Sequence, residues 1–222
     1  MALNWLARFP EYFDKHGYID ETTSQAARNH ELAAHLHAVK REIDALCDPA
    51  LRNHHNIVKL LYWGLCPDTL ESLGDEALRI PVLILERAEA DLETFLGIHN
   101  DVPYGILRQI CLDFGEGLGA LHAEGISHGD LKPVSVLIFR QDVQHEHQQR
   151  YTAKLCDFGS DRSDIEGDKK GMSYASSRGW RAPDALEDSK LLSGALKRCD
   201  VYAYGLFVKR LRKEWETTVV QG

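Results

Sequence analysis

Two acidic residues, each adjoining a short and largely apolar run, constrain this chain more than any other feature. Asp130 is followed by Lys132 and then by an apolar run at residues 136–138. Asp157 stands 27 positions after Asp130, directly behind a second run at residues 153–156. Short runs of this kind are typical of buried strands. The pattern therefore predicts two strands, each with a carboxylate on an adjoining loop.

Two carboxylates on neighbouring loops suit the chemistry of phosphoryl transfer. One carboxylate can accept the proton of an attacking hydroxyl group, and the other can hold the magnesium ion that bridges phosphate oxygens. The protein's contribution to such a reaction is mostly positioning and charge stabilisation. The sequence therefore favours a phosphoryl-transfer site built on these two loops.

The same residues resemble motifs of the eukaryotic protein kinase family. Residues 128–135 read His-Gly-Asp-Leu-Lys-Pro-Val-Ser, against H-R-D-L-K-x-x-N in the family's catalytic loop, and residues 157–159 match its D-F-G magnesium loop. The resemblance implies that Asp130 orients the attacking hydroxyl and accepts its proton, and that Lys132 neutralises charge on the γ-phosphate. It also implies Mg²⁺ binding by Asp157, ATP as the phosphoryl donor, and serine or threonine hydroxyls of a protein as acceptors.

A helical pattern precedes these loops. Five apolar residues from Leu32 to Leu46 are spaced 4, 3, 4 and 3 apart, which predicts one face of an amphipathic helix that ends at Asp48-Pro49. The segment resembles the C-helix of the kinase family. Glu42 occupies the place of the glutamate that pairs with a strand lysine beside the nucleotide. A solvated helical glutamate remains the alternative for Glu42.

A continuous apolar run leads into a segment that resembles the kinase hinge. Residues 80–85 predict a strand that is buried on both faces. The residues that follow, 86–92, resemble the family's hinge and the start of its next helix. By position, the backbone groups of Glu86 and Ala88 would meet the adenine edge of a nucleotide.

Two further landmarks lie downstream. Residues 177–184 resemble the substrate-side motif that ends in A-P-E, and Ser177 would help to hold the catalytic residues in register. Residues 200–206 resemble the start of the family's central helix, whose Asp200 would brace the catalytic-loop backbone. Together with the predicted C-helix, hinge and two acidic loops, these landmarks occur in the family's order.

Four departures from the family pattern argue against full activity. No glycine-rich loop precedes the predicted helix, and no strand lysine is visible, since Lys40 lies only two residues from Glu42 on the same helix. Ser135 replaces the asparagine that would hold a second magnesium ion, and a hydroxyl is a poorer ligand for this hard cation than a carboxylate or amide oxygen. Gly129 replaces the arginine that would meet a phosphorylated activation segment.

Composition excludes several other classes of protein. Acidic residues outnumber lysine and arginine by 34 − 26 = 8, and this formal charge of −8 argues against a nucleic-acid partner. The longest apolar run, at residues 80–85, is too short to cross a bilayer, and residues 1–13 lack the apolar core of a signal peptide. Five cysteines without a C-x-x-C pair indicate reduced thiols. We therefore expect a protein of the cytoplasm, or of the nucleus, without a membrane partner.

These patterns predict an α+β, bilobal, protein-kinase-like fold with a truncated small β/α lobe and an incomplete, mainly helical large lobe. We expect residues 1–31 to form an extension without a recognisable glycine-rich loop. Residues 32–85 would be the remnant of the small lobe, with the C-helix and the strands after it. Residues 86–212 would form the hinge and the large lobe through the central helix, and residues 213–222 a tail.

Three functions remain open. The first is a serine/threonine protein kinase whose phosphoryl transfer is weak or lost. The second is a catalytically dead pseudokinase that acts as a binding or scaffold module. The third is a small-molecule phosphotransferase of the aminoglycoside or choline type, which also favours H-G-D but lacks the A-P-E-like closure and the D-V-x-x-x-G helix start present here. The G-x-G-x-x-G-like run at residues 115–120 lies inside a helical pattern and does not predict a nucleotide loop.

Overall fold

The computed structural model of the protein describes seven parts of the chain, which form helices and small antiparallel sheets. The described residues are 25–66, 80–99, 101–141, 150–160, 162–163, 179–183 and 193–221. The helices are α1 (Gln25–Cys47), α2 (Leu92–Ile98), α3 (Tyr104–Ala123) and α4 (Ser193–Gln221). The strands are β1 (Leu60–Cys66), β2 (Ile80–Leu85), β3 (Ala90–Asp91), β4 (Ile126–Ser127), β5 (Val136–Gln141), β6 (Arg150–Leu155) and β7 (Arg162–Ser163). These elements confirm the predicted α+β class. No helix in these parts of the chain is both long enough and apolar enough to span a membrane.

The predicted amphipathic helix is α1, which ends where the sequence indicates. Cys47 is its last residue, and Asp48 and Pro49 follow at once. The Asp48 carboxylate accepts a hydrogen bond from the Ala50 amide at 2.8 Å, which stabilises the turn that replaces the helix. Leu46, the last apolar residue of the predicted face, is 2% exposed and belongs to the main core.

Strands β1 and β2 pair antiparallel along their length. The bounds of β2 match the predicted strand, but its burial does not: Ile84 is 40% exposed, and Leu83 and Leu85 are only half-buried. Among the described residues β2 has β1 as its one neighbouring strand. The predicted burial on both faces is therefore wrong, because an apolar run reports the character of a strand and not the elements that cover it.

Strands β3, β5 and β6 form a second antiparallel sheet, in that order. β5 and β6 pair from Val136 opposite Leu155 to Gln141 opposite Arg150. The polar insertion between them lies at residues 142–149, outside the described parts of the chain. Because β5 and β6 run in opposite directions, the beginning of β5 and the end of β6 meet at one edge of the sheet.

The outer edge of β6 is closed by groups from two other parts of the chain. The Ala153 amide donates to Asp113 Oδ2 on α3 at 2.8 Å, and the Ala153 carbonyl accepts from Asn56 Nδ2 at 3.1 Å. The Leu155 amide donates to the Asn56 carbonyl, and the Leu155 carbonyl accepts from the Val58 amide, both at 2.9 Å. All five residues are buried, so each bond satisfies a polar group that water does not reach. The connection between α1 and β1 is thereby fixed against the strand that leads to the D-F-G loop.

Helices α3 and α4 supply the centre of the core. Phe114 on α3 meets Phe207 and Tyr204 on α4 edge-to-face, with ring centroids 4.5 and 5.1 Å apart. Such aromatic pairs contribute about 0.5–1.5 kcal/mol each beyond the area that they bury. α4 continues to Gln221, so residues 213–221, predicted as part of a tail, extend the central helix.

The glycine-rich run at residues 115–120 lies within α3, as the helical pattern predicted. Gly117 in this run has a packing role. A Cβ atom on Gly117 would lie 2.6 Å from the Asn56 carbonyl oxygen, closer than real Cβ atoms approach another atom. Helix α3 can therefore lie against the α1–β1 connection because Gly117 has no side chain.

Candidate active site

The two predicted acidic loops leave the β5–β6 pair at the same edge. Asp130 lies in the loop that leads into β5, and Asp157 lies two residues beyond the end of β6. The Cys156 amide donates to the Ser135 carbonyl at 3.0 Å, which continues the β5–β6 hydrogen bonding past the last strand pair. The structure therefore brings the Asp130 loop and the Asp157 loop together.

A buried histidine joins these two loops. His128 is fully buried, its Nε2 lies 3.0 Å from the Cys156 carbonyl oxygen, and its ring centroid lies 5.5 Å from that of Phe158. Nε2 must carry a proton to donate to a carbonyl, so in the neutral ring Nδ1 is the acceptor. The Asp130 amide lies 3.4 Å from that Nδ1. One side chain thus connects residues that adjoin both acids.

Asp130 and Lys132 form an ion pair within their loop. Lys132 Nζ lies 2.5 Å from Asp130 Oδ2, and the two side chains are 25% and 13% exposed. Ser135 Oγ donates to the Asp130 carbonyl at 3.2 Å. Ser135 is fully buried. Its hydroxyl, which was predicted as a magnesium ligand, instead donates to a backbone carbonyl of the same loop.

Asp200, predicted at the start of the central helix, lies inside α4, which begins earlier, at Ser193, and its side chain is fully buried beneath the loop of His128 and Asp130. Its Oδ2 accepts from the His128 amide at 2.8 Å and lies 3.0 Å from His122 Nε2, and its Oδ1 accepts from the Gly129 amide at 3.0 Å. Gly129 has a φ of +83°, in the left-handed region that costs a residue with a Cβ atom about 1–2 kcal/mol. Glycine in place of the family's arginine therefore suits this backbone. Ser177, predicted to support the same loop, lies outside the described residues.

Asp157 has a backbone conformation that is unusual for a side chain. Its φ is +69°, and it is the one non-glycine residue with positive φ in the described parts of the chain. Such a conformation costs of order 1–3 kcal/mol and persists where the surroundings fix it. Cys156, immediately before it, is fixed through both its amide and its carbonyl group. The Asp157 side chain itself is exposed.

Glu42 on α1 lies half-buried beside the Asp157 loop. Burial, and secondarily the negative charge of Asp157, raise the pKa of Glu42 from 4.5 to about 7. Within the described residues, no lysine or arginine forms an ion pair with Glu42, and its neighbour Lys40 pairs with Asp44 instead. The structure therefore brings Glu42 to the acidic loop without a partner cation there.

Glu86 and Ala88 follow β2 in an extended connection. The Glu86 amide donates to the Lys59 carbonyl at 3.0 Å. The Glu86 carboxylate accepts from the Lys59 amide at 2.8 Å and from Lys154 Nζ at 2.7 Å. The Glu86 carbonyl and the Ala88 amide make no hydrogen bond to another described part of the chain. These two backbone groups can therefore receive a ligand, whereas the Glu86 side chain is already engaged.

Three side chains that build the site bind partners far away along the chain. Arg41 donates to the Gly159 carbonyl, 118 positions away, Lys154 binds Glu86 over 68 positions, and His128 binds a carbonyl 28 positions away. Two of these three partners are backbone groups. No spacing along the chain predicts such pairs. His128 is visible in the sequence only as the first residue of the H-G-D-L-K motif, and Arg41 and Lys154 have no sequence signal.

The donor set fits a magnesium ion that arrives with phosphates. Among the described residues, no group of three or more His, Cys, Asp or Glu side chains is arranged to hold a metal ion. Asp157 offers one exposed carboxylate. Mg²⁺ is commonly bound through one or two carboxylates together with substrate phosphates and waters, and rarely in an all-protein cage. The protein would hold it only jointly with a nucleotide.

Comparison with known proteins gives one consistent family. The chain matches the family "Protein kinase domain" over residues 22–215. It is similar to protein kinase MCK1 of Saccharomyces cerevisiae, with 26% identity over 156 residues that cover 70% of this chain and 38% of the relative. It is also similar to the probable serine/threonine-protein kinase gdt8 of Dictyostelium discoideum (35% over 95 residues, 43% and 6%) and to human cyclin-dependent kinase-like 2 (29% over 121 residues, 54% and 22%).

The chain spans less than half the length of each of these relatives. The family match, by contrast, covers most of this chain and includes α1, the hinge, both acidic loops and most of α4. The chain belongs to the protein kinase family.

Proposed function

We propose that this chain binds ATP together with Mg²⁺ and transfers the γ-phosphoryl group, slowly, to serine or threonine hydroxyls of a protein. One observation carries the proposal: the loops of Asp130 and Asp157 are tied to each other at one edge of the β5–β6 pair. The Ser135–Cys156 and His128–Cys156 hydrogen bonds, both 3.0 Å, form this tie. Phosphoryl transfer depends mainly on such positioning of charges.

In this proposal Asp130 is the base and Lys132 its cationic partner. Asp130 would accept the proton of the attacking hydroxyl as the hydroxyl oxygen bonds to the γ-phosphorus, while the bond from that phosphorus to the β,γ-bridging oxygen breaks and ADP leaves. Lys132 already lies 2.5 Å from the Asp130 carboxylate, so an incoming γ-phosphate would meet a positive charge beside the base. Both side chains are partly exposed, as residues that touch a substrate must be.

Asp157 is the group that would hold magnesium. The ion, when bound, neutralises negative charge on the phosphate oxygens. The backbone at Asp157 is left-handed, the preceding Cys156 is held through its amide and its carbonyl, and the Asp157 side chain is exposed. Ser135 is a weaker candidate as a second ligand, because its hydroxyl is buried and donates to the Asp130 carbonyl.

The adenine edge would meet backbone groups after β2. A carbonyl acceptor at Glu86 and an amide donor at Ala88 match the donor and acceptor character of that edge. The Glu86 side chain holds the connection in place through Lys59 and Lys154. Nucleotide recognition would therefore depend on backbone geometry and tolerate substitution at Ala88.

The transfer is expected to be slow because Glu42 has no cation beside it in the described residues. Loss of one preorganised electrostatic contact typically lowers a catalytic rate by about 10²–10³. We infer that ATP binding survives better than turnover. The protein would act on protein substrates, in the cytoplasm or the nucleus.

Thermal unfolding with ATP, with and without Mg²⁺, tests the binding half of the proposal. Ligand at 100 times its dissociation constant adds about 2.7 kcal/mol of stability, which for a chain of this size raises Tm by about 5–11 °C. Asp157→Asn should remove the magnesium-dependent part of the shift. Asp101→Asn, which changes an exposed aspartate between α2 and α3, is the matched control and should leave it intact. No shift at millimolar ATP would remove the enzyme hypothesis.

Phosphate incorporation into a generic serine/threonine protein substrate tests the transfer half. Asp130→Asn should keep ATP binding and abolish incorporation. If incorporation survives Asp130→Asn, another group is the base.

The second candidate is a pseudokinase that uses the same fold as a binding or scaffold module. Glu42 favours it, since among the described residues no lysine or arginine pairs with this half-buried carboxyl group to orient a nucleotide. This hypothesis predicts either no ATP shift or a shift without any phosphate incorporation. The two assays above therefore separate the candidates.

A further inference from the structure

Arg41 on α1 forms hydrogen bonds with the loop that carries Asp157. Its Nε and Nη2 both donate to the Gly159 carbonyl, at 3.1 and 2.7 Å. The loop backbone lies against the helix at this point, because a Cβ atom on Gly159 would be 3.5 Å from that of Ala38. Ala38 and Arg41 are three residues apart and so share one face of α1. The contact joins two parts of the chain that are 118 residues apart in sequence.

These hydrogen bonds hold the C-terminal side of Asp157, a residue with a strained backbone conformation. Asp157 has a left-handed φ of +69°. On its N-terminal side, Cys156 is held by Ser135 and His128. On its C-terminal side, the Gly159 carbonyl is held by a charged guanidinium group, and hydrogen bonds of this kind are stronger than neutral ones. A strained conformation persists only when the surrounding structure over-determines it, and here contacts on both sides of Asp157 contribute.

We propose that Arg41 is a positioning residue for Asp157: it keeps the magnesium-loop backbone in the conformation that presents the carboxylate. In this chain α1 thus reaches the loop through an arginine–carbonyl contact, which does not involve Glu42. The consequence for magnesium rests on the proposed function. The structural half of the inference, that the loop opens when the Arg41–Gly159 contact is lost, does not rest on the proposed function.

Amide hydrogen exchange without ligand tests the structural half. In Arg41→Ala, exchange of the amides at residues 158–160 should rise about tenfold, while exchange in the core of α3 stays unchanged. Arg41→Lys keeps the positive charge but lacks the two donor nitrogens of the guanidinium group, so its amide exchange at residues 158–160 should be faster than in wild type and slower than in Arg41→Ala. The control is Arg212→Ala, which removes a 75% exposed arginine from α4 and should leave residues 158–160 unchanged.

ATP titrations, with Mg²⁺ and with EDTA in its place, test the consequence. In Arg41→Ala, the gain in ATP affinity that Mg²⁺ gives should fall about tenfold, whereas affinity in EDTA stays as in wild type. A merely structural role for Arg41 would lower Tm without changing this magnesium-dependent gain.

Each outcome decides the inference. The inference is overturned if the amides of residues 158–160 exchange as slowly in Arg41→Ala as in Arg212→Ala. It is also overturned if Mg²⁺ raises the ATP affinity of Arg41→Ala by as much as that of wild type. If wild-type protein gains nothing from Mg²⁺, the proposed role of Asp157 as magnesium ligand fails, and the exchange experiment alone decides whether Arg41 fixes the loop. Should Arg41→Ala not fold, Arg41→Lys carries both measurements, with a smaller expected change of the same sign.

Discussion

The substitution Glu42→Gln measures how much the buried charge of one carboxyl group lowers the free energy of unfolding. Glu42 is half-buried on α1, and burial, with the charge of Asp157 second, raises its pKa from 4.5 to about 7. Glutamine has nearly the same size and shape but never ionises. The substitution therefore removes the cost of a buried charge and leaves the packing of α1 almost unchanged.

The direction of the pH effect follows from the two pKa values. Below pH 4.5 the carboxyl is protonated in both the folded and the unfolded protein, and it costs nothing. Between pH 4.5 and about 7 the folded protein keeps the proton that the unfolded chain has lost, so the free energy of unfolding falls as pH rises. Above pH 7 the carboxylate is ionised in both states, and the full cost is present.

The size of the full cost follows from the shift between 4.5 and about 7. At 1.36 kcal/mol per pKa unit, it amounts to about 3 kcal/mol. Glu42→Gln should therefore raise the free energy of unfolding by up to about 3 kcal/mol at pH 8 and by less than about 1 kcal/mol at pH 5. For a chain of this length the pH 8 gain corresponds to about 6–12 °C in Tm.

Urea and thermal unfolding at pH 5 and pH 8, in EDTA, measure this difference. Glu116→Gln on α3 changes an exposed glutamate in the same way and should shift stability by less than about 0.5 kcal/mol at either pH. Asp157→Asn removes only the smaller cause of the shift, so its gain at pH 8 should be smaller than that of Glu42→Gln. A Glu42→Gln gain that is absent, or equal at the two pH values, would refute the reasoning.

Four further substitutions test the structure around the site, each by its denaturant midpoint. Gly117→Ala should cost about 1–3 kcal/mol, since its Cβ would lie 2.6 Å from the Asn56 carbonyl, whereas Gly119→Ala, with open space around it on the same helix, should stabilise by about 0.5–1 kcal/mol; equal effects would contradict the close approach. Gly129→Ala should cost about 1–2 kcal/mol because of its φ of +83°, and a neutral result would mean that the loop relaxes. Asp200→Asn should cost about 2–3 kcal/mol, because charged hydrogen bonds to two backbone amides are weakened in a buried site; unchanged stability would show that those amides find other partners.

Local patterns in the sequence were sufficient for several elements, namely α1, β2, β5 and β6, and for the family. The apolar spacing and the Asp48-Pro49 stop determined where α1 ends, and two short apolar runs determined β5 and β6. Helix and strand periods, prolines and ordered motifs act over a few residues, so one chain without any structure contains them. The positions of Asp130 and Asp157 on loops at the ends of strands followed from the same patterns.

Only the tertiary structure decided how the site is held and charged. The exposure of β2 depends on which elements cover it, and the left-handed backbone of Gly129 depends on α4 below it. The pKa of Glu42 is raised by burial and by Asp157, and Arg41 hydrogen-bonds to Gly159. Both contacts join segments that lie more than a hundred residues apart in the chain. The elements that cover a strand, the burial of a charged group and hydrogen bonds to backbone carbonyls cannot be read from side-chain spacing, because they belong to pairs of surfaces that exist only once the chain has folded.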